Sequence, residues 1–341
     1  MYSLIRDLLF NFDAEGVHHF SMNAFKTLNK WPYFTRILEQ QFKVDHHKLQ
    51  RKYFGLYFPN PVGLGAGFDK NALYLKELET LGFGFVEIGT VTPLPQQGNE
   101  TPRLFRLPKD KALINRMGFN NHGAKVIANR LRQRTTSIIV GGNIGKNKIT
   151  PNDEAWKDYE KCYTELFDCV DYFVINVSSP NTPGLRELQE KSSLQRIFGQ
   201  LQNLNQGQIK PRPLLLKIAP DLTIGQVDDI IELATEMKLS GLVATNTTIN
   251  REGLLTPANE IEKMGAGGLS GRPLTKRSLE IVKYIHQQTA GKLPIIASGG
   301  IFNGQDALNQ LDAGASLLQV WTGFVYEGPG IIKNICRELI N

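Results

Sequence analysis

Three cysteines are all the thiol chemistry this 341-residue chain carries, and the number is odd. Cys162 and Cys169 stand seven apart in a stretch that reads as helix, and Cys336 is distant. Neither a disulfide framework nor a zinc ribbon is implied, and the usage reads as a reducing compartment. Long apolar runs are missing as well. No uninterrupted stretch reaches the roughly 18 residues that a spanning helix needs. Arg6 and Asp7 interrupt the apolar residues where a signal peptide would need them. The expectation is a chain that is neither secreted nor membrane-spanning, although it can still lie on a membrane. Basic runs are missing too. Lys and Arg are scattered, so a formal charge of +6 is a weak argument for nucleic acid.

Phosphate-loop signatures are equally scarce. No G-x-x-x-x-G-K-[ST] occurs, and Gly63-Leu-Gly65-Ala-Gly67 has the wrong spacing for a dinucleotide fingerprint. No His/Cys/Asp cluster suggests a metal site, so none is expected. No carboxylate pair has a glycosidase role. Ser179 lies in no G-x-S-x-G, which leaves hydrolase chemistry unsupported. What is abundant is glycine, 32 residues, which suggests tight turns or close backbone approach to a ligand. With 41% apolar and 21% charged residues, disordered and collagen-like chains are excluded.

Residues 1–52 differ from the rest. They carry eight Lys/Arg against five Asp/Glu, and four of the six histidines. Leu4, Ile5, Leu8, Leu9 and Phe12 share one face of a short helix. Val17, Phe20, Ala24, Phe25 and Leu28 form a second, which Trp31-Pro32 ends, and Phe34, Ile37, Leu38 and Phe42 a third. Such a segment either packs onto the main domain or lies in a membrane interface, and the two are compatible. On its own pattern His18 reads as an ordinary surface or packed histidine.

From residue 60 onward, eight near-continuous apolar or β-branched runs recur. They are Val62–Ala66, Phe85–Gly89, Ser137–Gly141, Tyr172–Val177, Leu214–Ile218, Gly241–Thr245, Pro294–Ala297 and Ser316–Val320. Parallel strands buried on both faces read this way. Helical patterns such as Trp156–Val170, Ile224–Met237 and Thr275–Gln288 lie between them. Eight alternating units over residues 53–341 fit an α/β fold, a (β/α)8 TIM barrel with an N-terminal amphipathic helical extension. A doubly wound open sheet is the alternative. Thr92–Asn121 reads as an inserted hairpin and Asn246–Ser270 as a polar, Gly-rich insertion, both rising from strand C-terminal ends.

The residues just past the strands form an unusual set. Gly67, Lys70, Thr90, Asn143, Asn176, Ser178, Ser179, Asn181, Lys217, Asn246 and Thr247 are among them. A single asparagine there is ordinarily a turn residue. Four of them, with two lysines and few carboxylates beyond Asp69 and Asp221, favour a site. Asparagines suit a planar amide or imide ligand, and lysines suit a carboxylate, a phosphate or an anionic ring. Ser298-Gly299-Gly300-Ile301, followed by Val320-Trp321-Thr322-Gly323, occupies the place where barrels bind phosphate. A barrel with a phosphate-bearing cofactor, no metal and no acid pair points towards flavin mononucleotide (FMN).

Six motifs occur in order: Gly63-Leu-Gly-Ala-Gly-Phe-Asp-Lys70, Asn115-Arg-Met-Gly-Phe119, Asn176-Val-Ser-Ser-Pro-Asn181, Thr245-Asn-Thr247, Gly268-Leu-Ser-Gly271 and Ser298-Gly-Gly-Ile301. On these the chain resembles the dihydroorotate dehydrogenases of the quinone-dependent, membrane-associated class (class 2), over its whole length. The resemblance implies oxidation of dihydroorotate to orotate in pyrimidine biosynthesis, through one FMN, to a membrane quinone such as ubiquinone or menaquinone. It implies FMN contacts from Ala66, Gly67, Lys70, Thr90, Asn143, Asn176, Lys217 and Thr245, with Gly271, Gly300, Trp321 and Thr322 on the phosphate side. It implies substrate contacts from Lys70, Asn115, Arg116, Met117, Gly118, Phe119, Asn176, Asn181, Asn246 and Thr247. Ser179 would remove the C5 proton while hydride leaves C6 for flavin N5. The family's soluble class carries cysteine there. Thr182 and Phe119 match supporting positions, and Lys217 would stabilise the anionic reduced ring. Trp321 stands where relatives commonly have tyrosine.

The resemblance also makes residues 1–52 a mouth through which quinone enters from the bilayer, with His18 and Arg103 near it. With no organelle-targeting presequence or spanning helix ahead of this amphipathic segment, the expectation is a bacterial protein, peripheral on the cytoplasmic face of the inner membrane. The resemblance implies no nucleic acid and no iron–sulfur partner subunit, and is compatible with a monomer. Two other readings compete. One is an FMN barrel that exchanges electrons with a nicotinamide. The other is a membrane-surface module on an inert barrel, which would bind no flavin.

Overall fold

Eight parallel strands close on themselves in the computed structural model, which describes residues 2–341. They are β1 (Val62–Leu64), β2 (Phe85–Val91), β3 (Ile139–Ile144), β4 (Tyr172–Asn176), β5 (Leu214–Ile218), β6 (Gly241–Ala244), β7 (Ile295–Ser298) and β8 (Leu317–Val320). Each pairs with the next in chain order, and β8 returns to β1. A helix follows every strand, from Leu75–Thr80 after β1 to Ile331–Ile340 after β8. This is the TIM barrel expected, and the open sheet is excluded because neither edge is left unpaired.

The helices are placed by patterning and caps. In Ile224–Glu236 the buried residues Val227, Ile230, Leu233 and Ala234 make one stripe against the barrel. Thr223 starts this helix with a reciprocal capping box to Gln226, an arrangement whose loss typically costs about 1 kcal/mol. Only Leu214–Ile218 keeps both expected boundaries; most of the other strands shift by one or two residues at an end, and two of these shifts bear on the site. The third run begins at Ile139 rather than Ser137 and continues through Gly142, Asn143 and Ile144. The second continues through Thr90 to Val91, beyond a register shift after Ile88. Thr90 and Asn143 therefore sit within strands, not past them, and Gly-Gly-Asn, a turn signal in sequence, is held extended by its neighbours.

Residue 52, where the sequence pattern changes, lies in a short antiparallel hairpin, Arg51–Tyr53 with Leu56–Phe58. Periodicity did not reveal it, because each strand is only three residues long. Phe54 and Phe58 pack on Phe85 and Tyr172 and close the lower end of the barrel with an apolar plug.

At the opposite end the hairpin expected in Thr92–Asn121 is present, Leu104–Leu107 with Ala112–Asn115. The insertion Asn246–Ser270 is not simply a loop. It contains a helix, Ala258–Met264, and it leads into Gly268–Gly271, which pairs antiparallel with Ala112–Asn115. Three strands thus rise over the barrel mouth.

The N-terminal segment forms α1 (Tyr2–Leu9), α2 (Ala14–Leu28) and α3 (Pro32–Phe42). Pro32 occupies the first turn of α3, where its missing N–H costs nothing. Phe12 falls outside α1. The Asn11 side chain bonds the carbonyls of Asp7 and Leu8 at the helix end, and Asp13 caps α2 through Gly16 N–H. Met22, Phe25 and Phe42 pack on the barrel's apolar core, and polar contacts add to this. Tyr2 bonds Val325 O, Arg6 bonds Tyr326 O, and Lys26 bonds Leu73 O. Among the described residues no helix is long and apolar enough to cross a membrane.

Candidate active site

Apolar strands bring a set of polar side chains to the barrel mouth. A cavity of about 790 Å³ opens there and runs outward between the mouth and α1–α3. Its size lies within the range of small-molecule and cofactor sites. Of the residues expected around FMN, Ala66, Gly67, Lys70, Thr90, Asn176, Lys217, Thr245, Gly271, Gly300, Trp321 and Thr322 line it. Asn143 does not. It is fully buried one hydrogen bond behind the wall, where its Oδ1 accepts from Thr90 Oγ1 at 2.5 Å and from Asn176 Nδ2 at 3.1 Å.

Of the residues expected around the substrate, Asn115, Met117, Gly118, Phe119, Asn181, Asn246 and Thr247 also line the cavity. Arg116 turns away. Its guanidinium bonds the carbonyls of Pro102 and Met264 and stacks over Phe105, so it braces the inserted sheet instead. The amides interlock. Asn181 Nδ2 donates to Asn115 Oδ1 at 2.9 Å, and Asn246 Nδ2 donates to Ser178 Oγ at 3.0 Å. Asn181 Oδ1 and Thr182 Oγ1 are buried without a hydrogen-bond partner. Such orphaned atoms are costly in a folded protein unless a ligand or water meets them.

Ser179 lies in the loop after β4, nearly buried, and faces the same cavity. Its Oγ accepts the Asn181 N–H at 3.3 Å. Among the described residues no basic side chain hydrogen-bonds this hydroxyl. The carboxylates flagged in sequence do other work. Asp69 accepts from the N–H groups of Leu73 and Tyr74, both at 2.8 Å. Asp221 pairs with Arg186 at 2.8 Å, and Arg186 also bonds the carbonyls of Ser178 and Thr247. That contact pins the Ser179 loop to the loops after β5 and β6.

Lys70 donates to Asn120 Oδ1 at 2.6 Å. Burial pushes its ammonium down to about 7, with the nearby Glu15 charge opposing that shift. His18 also lines the cavity, edge-on to Phe68 with ring centroids 4.5 Å apart. Burial, helped by His19 and Lys70, lowers it to about 4, so it is neutral at ordinary pH. Arg103 does not line the cavity. Its guanidinium is held by both carboxylate oxygens of Glu15, at 2.9 and 2.7 Å. This pair joins α2 to the inserted hairpin and keeps the Glu15 carboxyl below its usual range.

Two residues that sequence patterning did not single out stand behind this wall. Glu87, inside β2, is fully buried and pairs with Lys217 at 3.2 Å. Gln319, inside β8, donates to Glu87 at 2.5 Å, and its own Oε1 is buried without a partner. The available signal was a lone polar residue inside each of two apolar runs, Phe-Val-Glu-Ile and Leu-Leu-Gln-Val.

The chain is similar to known proteins over nearly its whole length. A family model described as dihydroorotate dehydrogenase matches residues 48–341. A protein of Christiangramia forsetii named dihydroorotate dehydrogenase (quinone) is 52% identical over 338 residues, covering 99% of this chain and 98% of that one. One of the same name from Corynebacterium striatum is 47% identical over 339 residues, covering 99% and 92%. Among solved structures, the chain is similar to a DHODH from Eimeria tenella in complex with ferulenol, at 40% identity and a TM-score of 0.86. That match covers 96% of this chain and 91% of the other.

Proposed function

The chain belongs to the dihydroorotate dehydrogenase family, and on that premise we propose how its own residues divide the work. It is an oxidoreductase that takes dihydroorotate to orotate with a quinone as acceptor, in pyrimidine biosynthesis.

FMN is the cofactor that the barrel mouth would hold, and the residues present fit it. Gln319 Oε1, buried and unpartnered, offers the acceptor that an imide N–H needs. Lys217 offers a cation beside the same wall. At Gly300, with φ of +73°, a Cβ would collide with the backbone of Thr275, which keeps the phosphate side bare. Bound there, FMN supplies a two-electron acceptor for the substrate and a two-electron donor for the quinone. Ala66, Gly67, Lys70, Thr90, Asn176, Lys217 and Thr245 would hold the ring, with Asn143 behind them. Gly271, Gly300, Trp321 and Thr322 would hold the phosphate.

Dihydroorotate is an anionic, planar-edged amide. Lys70 meets its charge, and Asn115, Asn176, Asn181, Asn246 and Thr247 meet its donors and acceptors. Ser179 takes the proton from C5. A free serine is a weak base, so the proton must move on. The unpartnered Thr182 Oγ1, three residues along the same loop, is the relay this reading assigns. The interlocked amides hold the substrate in one orientation, which is where much of the rate enhancement would originate.

α1–α3 form the entry for quinone, with His18 on its wall. They rest on the bilayer surface, peripherally, at the cytoplasmic face of a bacterial inner membrane. The chain works without an iron–sulfur subunit.

The observation that carries this reading is the convergence of Lys70, Ser179, Lys217 and the four asparagines Asn115, Asn176, Asn181 and Asn246 on one cavity. Anaerobic visible absorbance of the FMN-loaded protein tests it. Dihydroorotate should bleach the flavin band, and a short-chain quinone, but not NAD, should restore it. A band that ignores dihydroorotate would sink the reading, and restoration by NAD would favour the nicotinamide-linked alternative.

A further inference from the structure

One carboxylate lies inside the barrel, and no step above uses it. Glu87 sits in the middle of β2 with no exposed surface. Its Oε1 accepts from Lys217 Nζ on β5 at 3.2 Å and from Asn143 Nδ2 on β3 at 2.8 Å. Its Oε2 accepts from Gln319 Nε2 on β8 at 2.5 Å. All three partners are donors, as an ionised carboxylate requires.

These bonds decide what each partner presents to its neighbours. With Nδ2 committed to Glu87, Asn143 turns its Oδ1 to Thr90 and Asn176. With Nε2 committed, Gln319 leaves its carbonyl oxygen free, 3.4 Å from where a Cβ on Gly65 would stand, beside the cavity. Lys217 stands on the cavity wall with the carboxylate behind it.

We propose that Glu87 is a positioning residue of the cofactor site, which orients Lys217, Asn143 and Gln319 and whose negative charge lowers the reduction potential of bound FMN. The inference rests on the placement of FMN at the barrel mouth. Two-electron reduction adds negative charge to the ring. A lone buried lysine would favour the reduced form strongly, because fields are weakly screened in a dry interior. Glu87 offsets that lysine. Glu87→Gln keeps the shape and removes the offset, so the reduced form gains.

The test is the midpoint potential of the FMN-loaded full chain, read by equilibration with redox dyes. In Glu87→Gln the ratio of reduced to oxidised flavin at fixed poise should rise about tenfold or more, about 30 mV for a two-electron couple. Glu87→Asp, which keeps the charge, should stay near the wild-type potential. A purely structural role would change stability and leave the potential of Glu87→Gln where it was, which would overturn the proposal. Glu87→Gln leaves Lys217 buried without its counter-charge. Should it fail to fold, Lys217→Gln alone is compared with Lys217→Gln/Glu87→Gln. The double variant should show the same upward shift relative to the single one, and equal potentials would overturn the proposal. The functional reading is checked separately on the wild type. A flavin band that dihydroorotate does not bleach sinks that reading. Bleaching together with an unmoved potential in Glu87→Gln sinks only the role of Glu87.

Discussion

The barrel interior and the N-terminal layer invert the usual sorting of side chains in opposite directions. Inside the barrel, Glu87, Asn143, Asn176 and Lys217 are buried where aliphatic residues would ordinarily pack. On α1–α3, Leu4, Leu8, Phe20, Leu28 and Tyr33 are exposed, Tyr33 by 80%. Met22 is the one buried residue among the described residues of these helices. Burying polar groups costs free energy unless they are paired, and exposing apolar ones forgoes about 25 cal/mol per Å². Each inversion persists where a non-protein group would complete the environment. On the proposed function the two regions would serve two chemistries, a polar ring system at the mouth and, on the outward face of the helices that the cavity does not reach, an apolar bilayer surface.

The largest effect is expected at Ser179. Ser179→Ala should slow flavin reduction by dihydroorotate about 10²- to 10⁴-fold, the usual contribution of a positioned base, with FMN retained. Reoxidation by quinone should stay as it was. Rapid-mixing absorbance reads both half-reactions, and full reduction rates in this variant would remove the base assignment.

A smaller effect is expected from Lys70, whose ammonium burial lowers to about 7. Below that pH it is protonated in the free site and attracts an anionic ligand. As pH rises through about 7 it loses the proton, so the affinity for orotate should fall, by at most about tenfold per pH unit. Titration of orotate binding across pH 6–9 checks this, and Lys70→Met should flatten the profile. A wild-type profile that is already flat would contradict it.

The smallest effect belongs to His18. Its ring, lowered to about 4, stays neutral throughout the physiological range. The pH profile of quinone reduction should show no inflection from His18 between pH 5 and 8, and His18→Phe should leave that profile's shape unchanged. An inflection lost in this variant would place a charged imidazole in the quinone path.

Much of this division was legible in sequence. Parallel strands buried on both faces produce continuous apolar runs, and each of the eight barrel strands overlaps one. Polar residues at strand ends stand out against them, which is why Lys70, Asn176, Ser179 and Asn246 are legible in the sequence. What stayed hidden depends on pairing across the chain. Gly268–Gly271 is a strand only because Ala112–Asn115 lies beside it, more than 150 residues earlier. Phe54 and Phe58 form a plug only against Phe85 and Tyr172. Glu87 reads as one charge in an apolar run, and its meaning appears only when β5 places Lys217 opposite. Arg116 and Arg103 show the converse. For both, the family resemblance implied a place near a ligand, but each guanidinium is taken up by protein groups, the carbonyls of Pro102 and Met264 in one case and Glu15 in the other.

One cavity joins two sites that the proposed function makes separable. Removing residues 1–45 takes away α1–α3 and leaves the barrel mouth. Stopped-flow absorbance of that shortened, FMN-loaded chain measures both half-reactions in one protein. Dihydroorotate should still reduce the flavin at close to the full-length rate, while reoxidation by a long-chain quinone in vesicles should be largely lost. Equal losses in the two half-reactions, or full quinone turnover without the helices, would contradict that separation.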